Sequence, residues 1–386
     1  MLYADHHATT PVAPGVLEAM TPWLAFSANA SSVHSAGRAA RIAVEEARSD
    51  VASLIGASPA EIVFTSGGTE ADNLAVRGGS LAARESNPER RRVVVTMAEH
   101  PAVREAARSL ARLGFEALEL PVDSSGLPVP DDFEAACGPG TALVSAILAN
   151  NETGVVNTGL PALAEKARSA GALVHTDAVQ AVGKIPVDVG LLGVDLLSLT
   201  GHKFGGPKGA GALVVRKGIR VVPQESGGGQ EKGRRAGTEN VAALVGLGAA
   251  ARLGASRLAA EAARLRALRD RFEAGLRAAI PGLSVNGAGP GTVRLPTVTS
   301  AVLPGAEGEI LLAALDLEGI AASSGSACAA GTTKPSAVLL ATGLSAEDVR
   351  STLRFSFGRT TRGEDVDRLL EAVPRLWARA AGARPA

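Results

Sequence analysis

The chain has 386 residues, 46% apolar and only 3% aromatic, enough to bury a sizeable core of Ala, Val, Leu and Ile in two or three domains or in one large domain with a smaller attachment. Lys+Arg and Asp+Glu balance at 39 each, which excludes a net field drawing the protein to nucleic acid or an anionic membrane. Two distant cysteines, Cys137 and Cys328, make neither a disulfide framework nor a C-x-x-C. No signal-peptide pattern opens the chain and no apolar run reaches the roughly 18 residues of a membrane span, so the expectation is a soluble, cytoplasmic protein.

In chain order, residues 5–11 read DHHATTP. Adjacent residues such as His6 and His7 rarely aim at one ion and no carboxylate/His cluster accompanies them, so no metal is expected and a structural role at a domain seam is the better reading. From about residue 60 to 215, short β-branched runs alternate with Ala-rich amphipathic runs. Ile62–Thr65 leads into SGGTEADN; two glycines before a helix start suit a phosphate, although a plain turn capped by Thr69 reads equally well. The run 93–96 ends in AEHPAV, where His100 is either structural or a proton relay, and the Ala/Arg-rich stretch 101–113 follows. Further runs fall at 143–148, 173–176, 196–199 and 212–215. They are continuous rather than alternating, as strands buried on both faces of a mostly parallel sheet are, so the fold class is α/β with helices on both sides.

Two strand ends carry the strongest chemistry. HTDAVQ places Asp177 and Gln180 just beyond a buried strand, where ligands of open α/β sheets sit; alone, Asp177 would read as a helix cap. TGHKFGGPKGAG follows the run 196–199, and its glycines let backbone approach a bulky ligand while Thr200 and His202 can donate to a phosphate. A lone Lys203 would be a solvated charge. Paired with Asp177 it gains a use, because pyridoxal-phosphate (PLP) chemistry needs a lysine Schiff base and an acid facing the pyridine nitrogen. Beyond Thr238 the pattern changes. GLGAAA at 246–251 imitates a dinucleotide fingerprint but has no strand before it. Leu258, Leu265, Leu268, Phe272 and Leu276 fall at helical spacing, strands follow at 298–303 and 353–357, and helices at 309–317 and 364–377. This divides the chain into a large domain, 15–255, and a smaller α+β domain, 256–386.

The ordered set GGTEADN, Glu99-His100, NNETG (150–154), HTDAVQ, TGHKFGGPKGAG, RRAGTEN (234–240), SSGSAC (323–328) and RFSFGR (354–359) resembles the cysteine desulfurases of the NifS/IscS type, within the class-V aminotransferase family. The resemblance runs from DHHATTP almost to the C-terminus. It implies PLP fold-type I, with a mostly parallel seven-stranded sheet in the large domain and residues 1–14 joining the small one. It implies that Lys203 binds PLP covalently, that His100 stacks on the ring, that Asp177 pairs with the pyridine nitrogen and that Gln180 donates to the ring hydroxyl. Gly68, Thr69, Thr200 and His202 would hold the phosphate, with Thr238 reaching the phosphate of the other subunit of a homodimer. Asn151 and Arg354 would grip the carboxylate of L-cysteine, and Cys328 would take the sulfur and pass it to an acceptor or iron–sulfur scaffold protein. The family's usual Ser is Thr200 here, which keeps the hydroxyl.

Either the released lysine amine or His100 would remove the α-proton, and His100 is the candidate base for the Cys328 thiol, which is only slightly ionised at pH 7. Small polar neighbours place Cys328 on an exposed loop, whereas Cys137 in EAACGPG reads as structural. Selenocysteine lyase or aminotransferase activity stays open as an alternative. The Lys203–Asp177–His100 set argues against a catalytically silent scaffold.

Overall fold

In the computed structural model, which describes residues 1–324 and 335–382, the strands in chain order are β1 (Leu2–Tyr3), β2 (Ile62–Thr65), β3 (Arg92–Thr96), β4 (Glu116–Leu120), β5 (Thr141–Ser145), β6 (Leu173–Asp177), β7 (Leu196–Thr200), β8 (Gly211–Val215), β9 (Ser284–Val285), β10 (Val298–Val302), β11 (Ile320–Ala321) and β12 (Thr352–Ser356). Strands β2 to β8 form one seven-stranded sheet in the order β2-β8-β7-β6-β5-β3-β4. β3 to β7 run parallel, and β8 is antiparallel to both neighbours. The continuous apolar runs explain this layout: TALVS in β5 and LLSLT in β7 are buried at every residue.

One face of the sheet packs on helices Ser35–Leu54, Leu160–Ser169 and the start of Val241–Ala279, through Val44, Phe64, Leu163, Leu197 and Leu247. The other face meets the helical stretch 68–86 and helix Pro101–Ser109 through Leu74, Val93, Val103 and Leu143. The sheet is therefore the middle of three layers. Strand β4 has no counterpart in the sequence reading, because Glu116 and Glu119 interrupt its apolar run; an edge strand tolerates such charges. The run 143–148 starts and ends earlier than its apolar residues suggest, at Thr141–Ser145, and the chain then leaves the sheet toward Asn150.

A second layer forms around the antiparallel sheet β12-β10-β9, helices Gly308–Leu317 and Gly363–Gly382, and the end of Val241–Ala279. Three of the few aromatic residues gather here: the Phe272 ring meets Phe355 and Phe357 edge-on at centroid distances of 5.1 and 5.5 Å. The amino terminus begins on this layer, since β1 pairs in parallel with β11. The 39-residue helix Val241–Ala279 joins the two layers. Its start is capped by Asn240, whose Oδ1 accepts from Ala243 N at 3.2 Å. Composition alone would allow its first half to cross a membrane, yet most of that stretch is buried against Ser35–Leu54 and the sheet.

The strand order fixes where a ligand can sit. The chain leaves β3 toward β4 on one side and returns to β5 on the other. At such a switch point the carboxyl ends of neighbouring strands open a crevice.

Candidate active site

That crevice is a cavity of about 400 Å3, within the ~300–1,000 Å3 range of small-ligand sites. It is lined by Gly68 and Thr69 after β2, His100 after β3, Asn151 after β5, Asp177 at the end of β6 and Gln180 beyond it, Thr200 at the end of β7 with His202 and Lys203 beyond it, and Arg354 on β12. The strands of the large sheet thus deliver their polar residues at or beyond their carboxyl ends, whereas Arg354 comes from the middle of β12. Thr238 is exposed and does not line this cavity. Cys328 lies outside the described residues.

Lys203 ends a short 3-10 turn, and its Nζ donates to the carbonyls of His7 at 2.6 Å and Ala8 at 2.8 Å. Asp177 closes β6, where its Oδ1 accepts from Val179 N at 2.8 Å. Burial raises its pKa, opposed by His100, the Val179 amide and Lys203. His100 caps helix Pro101–Ser109: its Nδ1 accepts from Ala102 N at 3.1 Å, which leaves the neutral ring's proton on Nε2. Burial, then Lys203, pushes His202 down to about 4, so it is neutral at pH 7, with Nδ1 3.2 Å from Thr9 Oγ1. The Thr200 hydroxyl donates to Ala210 O at 3.1 Å. Thr69 is not the helix cap: the helix starts at Gly68 with Gly67 in the cap position, and a side chain at Gly68 would bring its Cβ within 2.8 Å of Val179. Glycine there leaves the backbone close to Val179, another residue of the cavity lining, without displacing its methyl group.

Arg354 sits mid-strand in β12 and is 2% exposed. Its Nη2 donates to Asp5 Oδ1 at 2.8 Å and its Nη1 to Asn151 O at 3.0 Å. The Asn151 side chain has a buried Oδ1 that finds no hydrogen-bond partner among the described residues.

Several polar groups at the site escape a reading by motif. His7 is buried, with Nε2 2.8 Å from Thr297 Oγ1, and its carbonyl is a hub for Lys203 and Gln180. Glu152 lines the cavity and accepts from Ser336 Oγ at 2.7 Å; burial raises its pKa. Behind Asp177 lie Asp72, Glu99 and His175, all fully buried. Burial and then Asp177 push Glu99 up to about 8, while burial pushes His175 down to about 3. Ser145 Oγ bridges Glu99 and His175 at 3.4 and 2.9 Å. Asp72, His100 and Asp177 bring their ligating atoms within 4.8 Å of one another, a spacing a metal could use. Burial raises the pKa of both acids, however, and a metal ligand must be deprotonated. Cys137, the free cysteine among the described residues, is half-buried and pushed up to about 11 by burial and Glu134, a poor nucleophile.

The aminotransferase class-V family profile matches residues 2–369. A cysteine desulfurase of Nostoc sp. is 44% identical over 377 residues, 97% of this chain and 92% of its own length. An IscS-like cysteine desulfurase of Mycobacterium tuberculosis is 43% identical over 98% of this chain and 97% of its own. Among solved structures, a NifS-like protein is similar with a TM-score of 0.89 at 33% identity, over 98% of this chain and 99% of its own. SspA in complex with cysteine is similar with a TM-score of 0.81 at 35% identity, over 92% of this chain and 99% of its own.

Proposed function

The chain belongs to the class-V aminotransferase family with the activity of a cysteine desulfurase, and from that premise we propose that the cavity at the ends of β3, β5, β6 and β7 holds PLP, with Lys203 as its covalent anchor and Cys328 as the sulfur acceptor. The observation that carries this reading is the meeting of Lys203, Asp177 and His100 in one cavity from three different strand ends. The donor set fits the cofactor. Asp177 supplies a buried acid for the pyridine nitrogen, Gly68 opens space for close backbone approach, and the helical stretch from Gly68 points its amide end at the cavity, with Thr69, Thr200 and His202 beside it. Asn151 and Arg354, joined through the Asn151 carbonyl, line the same cavity, where the guanidinium and the Asn151 amide NH2 would face a substrate carboxylate.

When bound, PLP supplies an electron sink for the charge released at the substrate's α-carbon. Lys203, once displaced, is the base for the α-proton, because the Ala102 cap holds His100 with its remaining proton on Nε2. His100 can take up the Cys328 proton only by releasing Ala102 N. Arg354 and Asn151, which line the cavity together, would hold the substrate carboxylate. The Cys328 thiolate then attacks the cysteine sulfur: a sulfur–sulfur bond forms, the carbon–sulfur bond breaks with its electron pair left on the β-carbon, a proton is added there, and return of the α-proton from Lys203 completes alanine. Cys328 is left as a persulfide for a sulfur-acceptor protein. Thr238 belongs to the same reading as a residue that reaches the partner subunit's phosphate site in a homodimer. A cytoplasmic setting, which keeps thiols reduced, suits the chemistry.

Borohydride reduction of the holoenzyme, followed by peptide mapping, tests the anchor. The pyridoxyl label is expected on Lys203 and should vanish in Lys203→Ala; a label on any other lysine would overturn the assignment.

A further inference from the structure

We propose that Lys184 is a positioning residue that decides which end of the Gln180 amide faces the cavity. The proposal rests on the reading that Gln180 donates to an oxygen of the bound ring.

Lys184 and Gln180 share one tight turn after β6, in which Val182 N donates to Ala178 O at 3.0 Å and Lys184 N to Ala181 O at 3.0 Å. Gly183 stands in that turn at φ +75°, and a Cβ there would lie 2.5 Å from Phe204 Cβ. This left-handed step, open to glycine, turns the next side chain inward. Lys184 is accordingly buried, 8% exposed, where lysines are seldom found.

Its amine donates to Gln180 Oε1. The other end of the amide, Nε2, donates to His7 O at 3.0 Å, and the same carbonyl accepts from Lys203 Nζ at 2.6 Å. An unbroken chain of hydrogen bonds therefore runs from Lys184 through Gln180 and the His7 carbonyl to Lys203. Burial, then Lys203 and Arg354, holds the Lys184 amine well below its ordinary pKa, but charged or neutral it carries protons to donate. Gln180 must therefore turn its oxygen to Lys184 and its NH2 to the cavity side. One of the two amide protons goes to His7 O, and the second is left for a ligand oxygen. Without Lys184, Oε1 would lose the donor that holds it. The amide could then rotate and present its oxygen to an anionic ligand oxygen, replacing a donor with a repulsion.

The test uses holoenzyme and the pH midpoint of the bound cofactor's visible band, which reports whether a donor faces the ring oxygen. Gln180→Ala should move that midpoint upward by about one pH unit, the equivalent of one lost hydrogen bond to a charged group. Lys184→Met, which keeps length and removes the donor, should move it in the same direction, and the double variant should move it no further than Gln180→Ala alone. Lys184→Gln keeps a donor and should leave the midpoint near wild type; it serves as the test if Lys184→Met does not fold. Additive shifts, a shift in Gln180→Ala with none in Lys184→Met, or a Lys184→Gln shift as large as that of Gln180→Ala would each overturn the proposal. An unmoved midpoint in Gln180→Ala would instead remove the reading of Gln180 on which it stands.

Discussion

Replacing Arg354 by Ala removes a guanidinium that is 2% exposed and already makes two of its hydrogen bonds, to Asp5 Oδ1 at 2.8 Å and Asn151 O at 3.0 Å. Truncating one partner of a buried, hydrogen-bonded charge pair costs about 2–5 kcal/mol. If that pair is the one made with the substrate carboxylate, the loss appears as a rise in KM of about 30-fold to several thousand-fold, at 1.4 kcal/mol per factor of ten. A second cost falls on the protein itself. Asp5 loses its Arg354 donor, at about 1–3 kcal/mol for a group left unsatisfied, while the Asn151 carbonyl keeps, among the described residues, only His7 Nδ1 at 3.3 Å. The two effects separate experimentally. Alanine formation is followed over a range of cysteine concentrations at a temperature well below the variant's Tm, with cofactor content read from the visible band. Arg354→Lys keeps the charge but not the planar fork, and should fall between wild type and Arg354→Ala. A fully loaded Arg354→Ala enzyme with a KM within about threefold of wild type would refute the carboxylate role, since even the low end of that range, about 2 kcal/mol, corresponds to a larger change.

Cys328→Ser should retain the cofactor and lose sulfide release by orders of magnitude, because a hydroxyl is barely ionised at neutral pH. Mass spectrometry after a cysteine pulse should find one extra sulfur on Cys328 in the wild type, and its appearance on Cys137 would contradict the assignment. Glu99→Gln addresses stability against pH. The folded pKa of Glu99 is raised from 4.5 to about 8, so the folded state retains a proton that the unfolded chain gives up above 4.5. The Glu99 contribution is complete below 4.5 and is lost as pH rises toward about 8. Glu99→Gln, a neutral amide that can still accept from Ile147 N and Thr96 Oγ1, should shed that loss. Urea unfolding at a series of pH values should show it gaining on wild type across this window, and parallel curves would mean that Glu99 does not titrate as described.

Much of the large sheet could be read in the chain because parallel strands covered on both faces must be apolar end to end, and β2, β3, β6, β7 and β8 fall within a residue of their runs. The site residues were legible for a related reason: Asp177, Thr200 and His100 stand where such a run stops, and a stop at a strand's carboxyl end is where this topology opens its crevice. What stayed hidden depends on contacts between distant segments. His7 owes its place to Thr297, 290 residues away, and Lys184 looks like any solvated lysine until Gly183 turns it inward. Glu99 and Asp72 are polar letters inside readable motifs, but nothing local says that both are sealed from water behind Asp177. Helix Ser35–Leu54 carries no motif, and its register emerges only from its packing on Val241–Ala279.

At about 1.5 Å per residue, the 39 residues of Val241–Ala279 run for about 58 Å, and the same backbone ladder roofs two apolar interiors. Leu247 anchors one end and Phe272 the other. A helix of this kind melts from its ends, and each end is held only by the interior beneath it. Loosening the aromatic cluster around Phe272 would therefore release the last turns, and the fraying would advance toward the sheet that carries Lys203. The two apolar interiors share that one ladder, so a defect in the cluster around Phe272 loosens a helix on which the large sheet also packs.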